Sequence, residues 1–313
     1  MSRKFLIAEM CQNHNGSWEI LERMVAAASS AGVTHAKIQA IYANELTYRP
    51  QFERESEGSI LRPFDAELER LAPLELSEEQ EKSFVSLCNE HNLVPMVTVF
   101  SHQGVDRAVK AGFRSFKIAS YDCASRKLIA RLLPHAEEIV ISTGGTNWSE
   151  IESTAAFVKE AAQTVDIRFL HATTIYPTPL SRVNLLRMLL LQKLGFPTGF
   201  SDHTSPLETG LRASASAAKL GATVIERHFT VLPRDETRDG RVSVDQEQMA
   251  EIARSMFDSA LSGIDSIAEI PEEVLHFSGI NVTNDERLNA DYYRGRFASW
   301  KEGRQVFAWE DWG

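Results

Sequence analysis

Two histidines carry the strongest chemical signal in the sequence. His203 in GFSDHT and His228 in VIERHFT each end a short β-rich run, with one helical stretch between them. Neutral imidazoles at neighbouring strand ends are well placed to share one divalent cation. Glu9 and Glu226 close similar runs and add carboxylates that suit ligand or proton-transfer work. Such nitrogen and oxygen donors suit Mn²⁺, Zn²⁺, Fe²⁺ or Mg²⁺ with open water positions, and residue types alone do not choose among them.

A second group is suited to an anion. Lys37 in HAKIQ and Lys117 in FKIAS sit inside apolar runs. An ammonium there is costly unless it meets negative charge. Either lysine alone fits pairing with an internal carboxylate; two facing one cavity point to a phosphate, a carboxylate or both. The run Ser142-Thr143-Gly144-Gly145 lies between a strand and a helix, where hydroxyls and turn N–H groups suit phosphate oxygens. Gln39, Thr98, Ser120 and Ser201 are further polar residues at strand ends, and His14, His171 and Tyr176 are expected on the same rim. His171 is open between a structural role and a substrate contact. Cys11 lies near the first strand end without a base that would make it a nucleophile. His35, His91, His102, His135 and His276 read as surface or capping residues.

The elements that must position these groups alternate regularly. Strands are predicted over 4–9, 35–39, 93–100, 115–119, 138–142, 167–171, 198–201 and 223–228. Helices are predicted over 17–31, 77–91, 104–111, 125–133, 149–164, 184–194, 207–220 and 245–262. Ser17 is a candidate N-cap with Gly32 as the stop, and Ser77-Glu-Glu-Gln80 reads as a capping box. Eight strand–helix units in this length predict a (β/α)8 TIM barrel over 1–262. A doubly wound sheet would call for a Gly-rich dinucleotide turn, and NHNG is not one. Residues 40–76 form a long polar connection, expected to be a functional loop or partly ordered lid. Residues 263–313 form a short C-terminal tail with Trp300, Trp309 and Trp312, expected to pack on the barrel or a partner subunit.

Bulk properties narrow the function. The 313 residues carry a net charge of -10, which argues against a nucleic-acid partner. An anionic substrate must then be captured by local donors rather than by the overall field. No apolar run is long enough to span a bilayer, so no membrane partner is expected. The N-terminus lacks a secretory signal pattern, and the three cysteines have no CxxC spacing; a reduced, cytoplasmic setting is expected.

The strings IAEMCQNHNGS, AKIQA, FKIAS, STGG, HATTIYPTP, GFSDHT and VIERHFT occur in the order and spacing of the sialic acid synthase family, and the chain resembles that family from about Phe5 to Ser243. The family includes N-acetylneuraminate, legionaminate and pseudaminate synthases and spore-coat polysaccharide relatives. The resemblance implies a metal-dependent condensation of phosphoenolpyruvate with an aldose, typically an N-acyl amino sugar. The product is a 3-deoxy-2-ketoacid sugar, with phosphate released. It implies that Lys37, Thr98, Lys117, Ser120, Ser142, Thr174 and Ser201 hold phosphoenolpyruvate. By the same resemblance His203 and His228 would bind the metal, manganese foremost, which would polarise the aldehyde and bind the attacking water. Glu9 would orient or deprotonate that water. Gln39, Tyr176, Glu226 and Asp239 would contact or position the sugar. A homodimer is also implied.

The sequence departs from the family pattern at its sugar end. The tail is too short for the family's C-terminal antifreeze-like domain, whose arginine reaches a partner's site; Arg294 or Arg296 is a candidate substitute. Thr237-Arg238-Asp239-Gly240 replaces the usual Gly-Pro-Asp-His, Thr174 stands where some members have Asn, and Thr98-Val99-Phe100 replaces TPF. The added Arg238 and Arg241 suit an acidic or phosphorylated acceptor. The alternatives are the same mechanism on a non-acylated or acidic aldose, and a non-catalytic paralogue that binds a sugar or a partner protein.

Overall fold

The computed structural model describes residues 3–55, 59–258, 270–277, 279–280 and 282–313. Eight parallel strands close in chain order into a barrel: β1 Phe5–Cys11, β2 His35–Gln39, β3 Val94–Val99, β4 Ser115–Ile118, β5 Glu138–Ser142, β6 Asp166–Ala172, β7 Thr198–Asp202 and β8 Val224–His228. β1 pairs with both β2 and β8, so no barrel edge is left open. This is the (β/α)8 TIM barrel expected from the strand–helix alternation. Its outer helices are α1 Trp18–Ser30, α2 Phe64–Leu71, α3 Glu78–Glu90, α4 His102–Ala111, α5 Arg126–Leu132, α6 Trp148–Ala161, α7 Leu186–Leu191, α8 Pro206–Thr209, α9 Arg212–Lys219 and α10 Gln246–Phe257. Beyond them lie α11 Asn284–Tyr293 and a hairpin of β9 Ala298–Lys301 and β10 Arg304–Phe307. Among the described residues no helix is long and apolar enough to cross a membrane.

Local signals explain several boundaries. The Ser17 hydroxyl accepts from Ile20 N–H to open α1, and Ser77 and Gln80 form the reciprocal capping box of α3. The helix expected over 207–220 is two helices, because Gly210 has φ +61 and breaks the run. The connection over 40–76 contains α2, whose buried Glu67 ties down the tail. The predicted end of the last barrel helix at 262, and the boundary between 262 and 263, lie outside the described residues.

Strand alternation separates a packed floor from a polar mouth. Phe5, Ile7, Met96, Val140, Leu170 and Val224 form one buried apolar cluster inside the barrel. Two residues further along four of these strands come Glu9, Thr98, Ser142 and Glu226. Because side chains repeat every second residue, these groups point inward just above the apolar plug. The intervening residues face the helices: Leu6, Ala8, Val97, Ile141 and Ile225 belong to the larger outer core.

Candidate active site

The residues singled out for chemistry at the strand ends, His14 and His171 apart, converge on one cavity of about 430 Å³ at the C-terminal mouth of the barrel. Glu9, Lys37, Thr98, Lys117, Ser142 and Ser201 form its lower wall. Gln39, Ser120, Thr174, Tyr176, His203, Glu226, His228 and Asp239 complete the predicted set on the same lining. His14 and His171 do not line it. His171 is fully buried with Nε2 bonded to the Val183 carbonyl at 2.7 Å, and burial holds it neutral with a pKa of about 3. Its role is structural.

The two lysines differ in surroundings. Lys37 faces Glu9 in strand register, donates to its Oε2, and lies 3.1 Å from Glu226 Oε2, off the hydrogen-bonding direction. Burial alone would lower its pKa; the charges of Glu226 and Glu9 outweigh that and raise it, so Lys37 stays cationic. Lys117 is equally buried, yet donates only to Ser142 Oγ at 2.6 Å and the Ile118 carbonyl at 3.0 Å. No carboxylate reaches ion-pair distance of it among the described residues. Burial pulls its pKa down to about 8 against the more distant pull of Glu226. The pairing alternative therefore describes Lys37, while Lys117 is a buried cation facing neutral acceptors. Above it the Gly turn is obligatory in shape: a β-carbon on Gly144 would come within 2.7 Å of Thr174 Cγ2 and 2.9 Å of the Ala172 carbonyl.

The two histidine motifs are fastened together from behind. In β7 and β8, Ser201, Glu226 and His228 point inward, as does His203 just past the end of β7, so Asp202 and Arg227 point outward. They form a fully buried ion pair at 2.5 Å, and Arg227 Nη2 also donates to the Thr204 carbonyl at 2.7 Å. Asp202 accepts in addition from Ser214 Oγ and Thr204 N–H. This clamp holds the backbone on both sides of His203.

The histidine rings lie with centroids 5.5 Å apart. His203 Nδ1 bonds to the Thr173 carbonyl at 2.9 Å, which fixes its tautomer and leaves the Nε2 lone pair facing Tyr176 and Ser201 hydroxyls. Burial, and then the neighbouring His228, lower its pKa to about 4, so the ring is neutral. His228 Nδ1 is buried without a hydrogen-bond partner among the described residues. A ligand-type atom from each of Cys11, His228 and Asp239 lies within 4.8 Å of the others. An orphaned imidazole nitrogen beside a thiol and a carboxylate fits a divalent cation. Asn13 positions this corner: its Nδ2 donates to the Phe229 carbonyl and Ser243 Oγ, each at 2.9 Å, and its Oδ1 accepts from Asp239 N–H.

Of the tail residues at the cavity, sequence reasoning named Arg296 and missed the other three. Asn289, Tyr293, Arg296 and Phe297 line the cavity. Tyr293 stacks on Tyr121 at 4.9 Å, Asn289 donates to the Thr174 carbonyl at 2.8 Å, and Arg296 donates to Glu67 at 2.6 Å. Arg294 instead pairs with Glu150 outside the lining, and Arg241 is exposed and outside it too. His102, read as a surface or capping residue, opens α4 but is buried and lies between the Phe307 and Glu310 carbonyls, with Trp312 stacked on it. Trp300 and Trp309 remain 47% and 43% exposed, so the tryptophan cluster is only partly covered within one chain.

Fold and cavity define a (β/α)8-barrel enzyme whose mouth sets a buried ammonium, outside ion-pair distance of any described carboxylate, beside a cluster of metal-type donors. The NeuB family model matches residues 24–263, and the chain belongs to that family. Its members are phosphoenolpyruvate-dependent synthases that form carbon–carbon bonds, and they use a divalent metal; this chain is an enzyme of that kind. It is 30% identical over 268 residues to the N,N'-diacetyllegionaminic acid synthase of Legionella pneumophila, covering 82% of this chain and 72% of that one. The Campylobacter jejuni enzyme of the same name is 28% identical over 251 residues, 80% of this chain and 74% of that one. Among solved structures, the Bacillus subtilis spore coat polysaccharide biosynthesis protein spsE superposes with a TM-score of 0.74 at 21% identity, covering 93% and 78% of the two chains. That likeness concerns the fold.

Proposed function

We propose that this protein condenses phosphoenolpyruvate with an aldose of the N-acyl amino sugar type, giving a 3-deoxy-2-ketoacid sugar and inorganic phosphate. The observation that carries the reading is Lys117, a buried ammonium with only neutral acceptors, at the base of a cavity lined by hydroxyls. An anion seated there removes the cost of burying that charge. Lys37, Thr98, Ser120, Ser142, Thr174 and Ser201 surround the same space and would hold the phosphate and carboxylate of phosphoenolpyruvate. In the overall reaction carbon 3 of phosphoenolpyruvate bonds to the aldehyde carbon, water adds at carbon 2, and phosphate leaves.

Glu9 would orient the attacking water, with Lys37 and the Cys11 N–H, 2.6 Å from Glu9 Oε1, fixing the carboxylate. Glu226 is held by Ser201 at 2.8 Å and, with Gln39, Tyr176 and Asp239, would position the acceptor. His203 and His228 would hold the divalent cation, manganese by the family resemblance. When bound, the cation supplies Lewis acidity for the acceptor carbonyl. The protein is proposed to act as a cytoplasmic homodimer.

A second acceptor class, an anionic aldose, is favoured by Arg62 and Arg238. Both line the cavity, and neither makes an ion pair among the described residues. Phosphate release from phosphoenolpyruvate, scored over neutral, N-acylated and phosphorylated aldoses with and without chelator, tests both readings. Turnover with an N-acyl amino sugar supports the first, and turnover confined to charged aldoses supports the second. No release with any acceptor, in a protein that binds neither metal nor phosphoenolpyruvate, returns the chain to a binding role.

A further inference from the structure

The cavity lining includes a thiol whose chemistry the proposed reaction leaves unused. Cys11 ends β1, where the pairing with β2 slips between Glu9 and Cys11. It has φ +45, in the left-handed region that residues carrying a β-carbon avoid. Strain of this kind persists only where the surrounding structure enforces it, and it concentrates at functional positions. The other two cysteines show the contrast. Cys88 and Cys123 are fully buried members of the apolar core, behaving as small hydrophobes. Cys11 belongs to no hydrophobic cluster; it lines the cavity beside Asp239 and Glu9, and its ligand atom is within 4.8 Å of those of His228 and Asp239. His228 supplies the independent pointer: on a residue 7% exposed, its Nδ1 has no hydrogen-bond partner among the described residues and lies 3.7 Å from Asp239 Oδ2, too far for one.

We infer that Cys11 is a thiolate ligand of the cation, forming with His228 and Asp239 one face of the centre, with His203 on the adjoining wall. The inference rests on the reading of this mouth as a metal site. As the sulfur–metal bond forms, the thiol proton passes to solvent and no electron changes hands. Thiolate is the softest donor in the set, so it strengthens binding of Zn²⁺ and Co²⁺ more than of Mn²⁺ or Mg²⁺.

The test is a Co²⁺ titration of the full chain, followed by absorption. Stoichiometric binding with a near-ultraviolet thiolate-to-cobalt charge-transfer band, lost in Cys11→Ser, is the expected result. Cys11→Ser should weaken Co²⁺ and Zn²⁺ by at least about 10–100-fold, the loss typical of disturbing even an outer-shell partner, while Mn²⁺ changes far less. Should Cys11→Ser fold poorly, X-ray absorption on the zinc-loaded wild-type protein decides the matter through one sulfur near about 2.3 Å. Tight Co²⁺ binding without the charge-transfer band, or zinc with only nitrogen and oxygen neighbours, overturns the role of Cys11 and leaves the metal site standing. Absence of Co²⁺ binding, equal in wild type and His228→Ala, overturns the metal site and the thiolate together.

Discussion

The two ends of this barrel are both polar inside, and they are polar in different ways. At the N-terminal end, Glu138 accepts from Ser115 Oγ and from His35 Nε2, each at 2.6 Å, and His35 Nδ1 is met by Thr34 at 2.6 Å. Arg168 is satisfied by Asp166 and lies 3.6 Å over the Phe5 ring. Each of these floor groups has its complement. At the mouth, among the described residues, Lys117 finds only neutral acceptors and His228 Nδ1 finds no hydrogen-bond partner, with Asp239 Oδ2 at 3.7 Å. The fully buried His171 Nδ1 also lacks a partner, so it is the convergence of unmet groups on one cavity that singles out the mouth.

The largest test of that contrast is at the floor. Glu138→Ala strands two buried donors and should lower the unfolding free energy by about 3 kcal/mol or more, measured by denaturant titration. Phosphoenolpyruvate affinity of the protein that remains folded should hardly change. Next comes Lys117→Met at the mouth, with the opposite pattern. Phosphoenolpyruvate binding by calorimetry should weaken about 100-fold, while the melting temperature holds or rises because a buried charge is gone. A loss of stability without loss of binding would place Lys117 with the floor residues.

A smaller effect is expected from pH. With its pKa near 8, Lys117 must take up a proton to receive an anion above that pH. Phosphoenolpyruvate affinity should fall by about tenfold per pH unit above 8, until the lysine of the complex itself titrates. The stability contribution runs the other way. The unfolded chain, with an ordinary lysine, binds more protons between 8 and 10.5, so this group's penalty on the folded state fades as pH rises through that window. The smallest effect is expected at Arg238, exposed on the rim. Arg238→Ala should move stability by less than about 0.5 kcal/mol and leave phosphoenolpyruvate affinity unchanged. Its acceptor KM should rise several-fold only if the acceptor is charged.

Much of the mouth was legible because a barrel strand makes a short-range promise: alternate residues point inward. Lys37, Thr98, Lys117 and Ser142 follow from that rule alone, once the strands are found. The same rule places His35 inward two residues before Lys37, and reading it as a surface or capping residue ignored its own strand. What the sequence concealed depends on folding back over long distances. Nothing local in Arg296 announces Glu67, and nothing in His102 announces the carbonyls of residues 307 and 310. Cys11 was hidden differently. Its spacing matched no metal motif, because its companions lie on β8 and the loop after it rather than nearby in the chain.

The Asp202–Arg227 pair sits on the far side of the sheet from the reaction space, sealed between strands and helices. It keeps β7 and β8 in step without touching anything that enters the mouth. Donor groups on the inner face can therefore be exchanged through evolution or design, with the new side chain inheriting the old one's aim. The barrel behaves here like a tool holder whose locking screw is reached from the back.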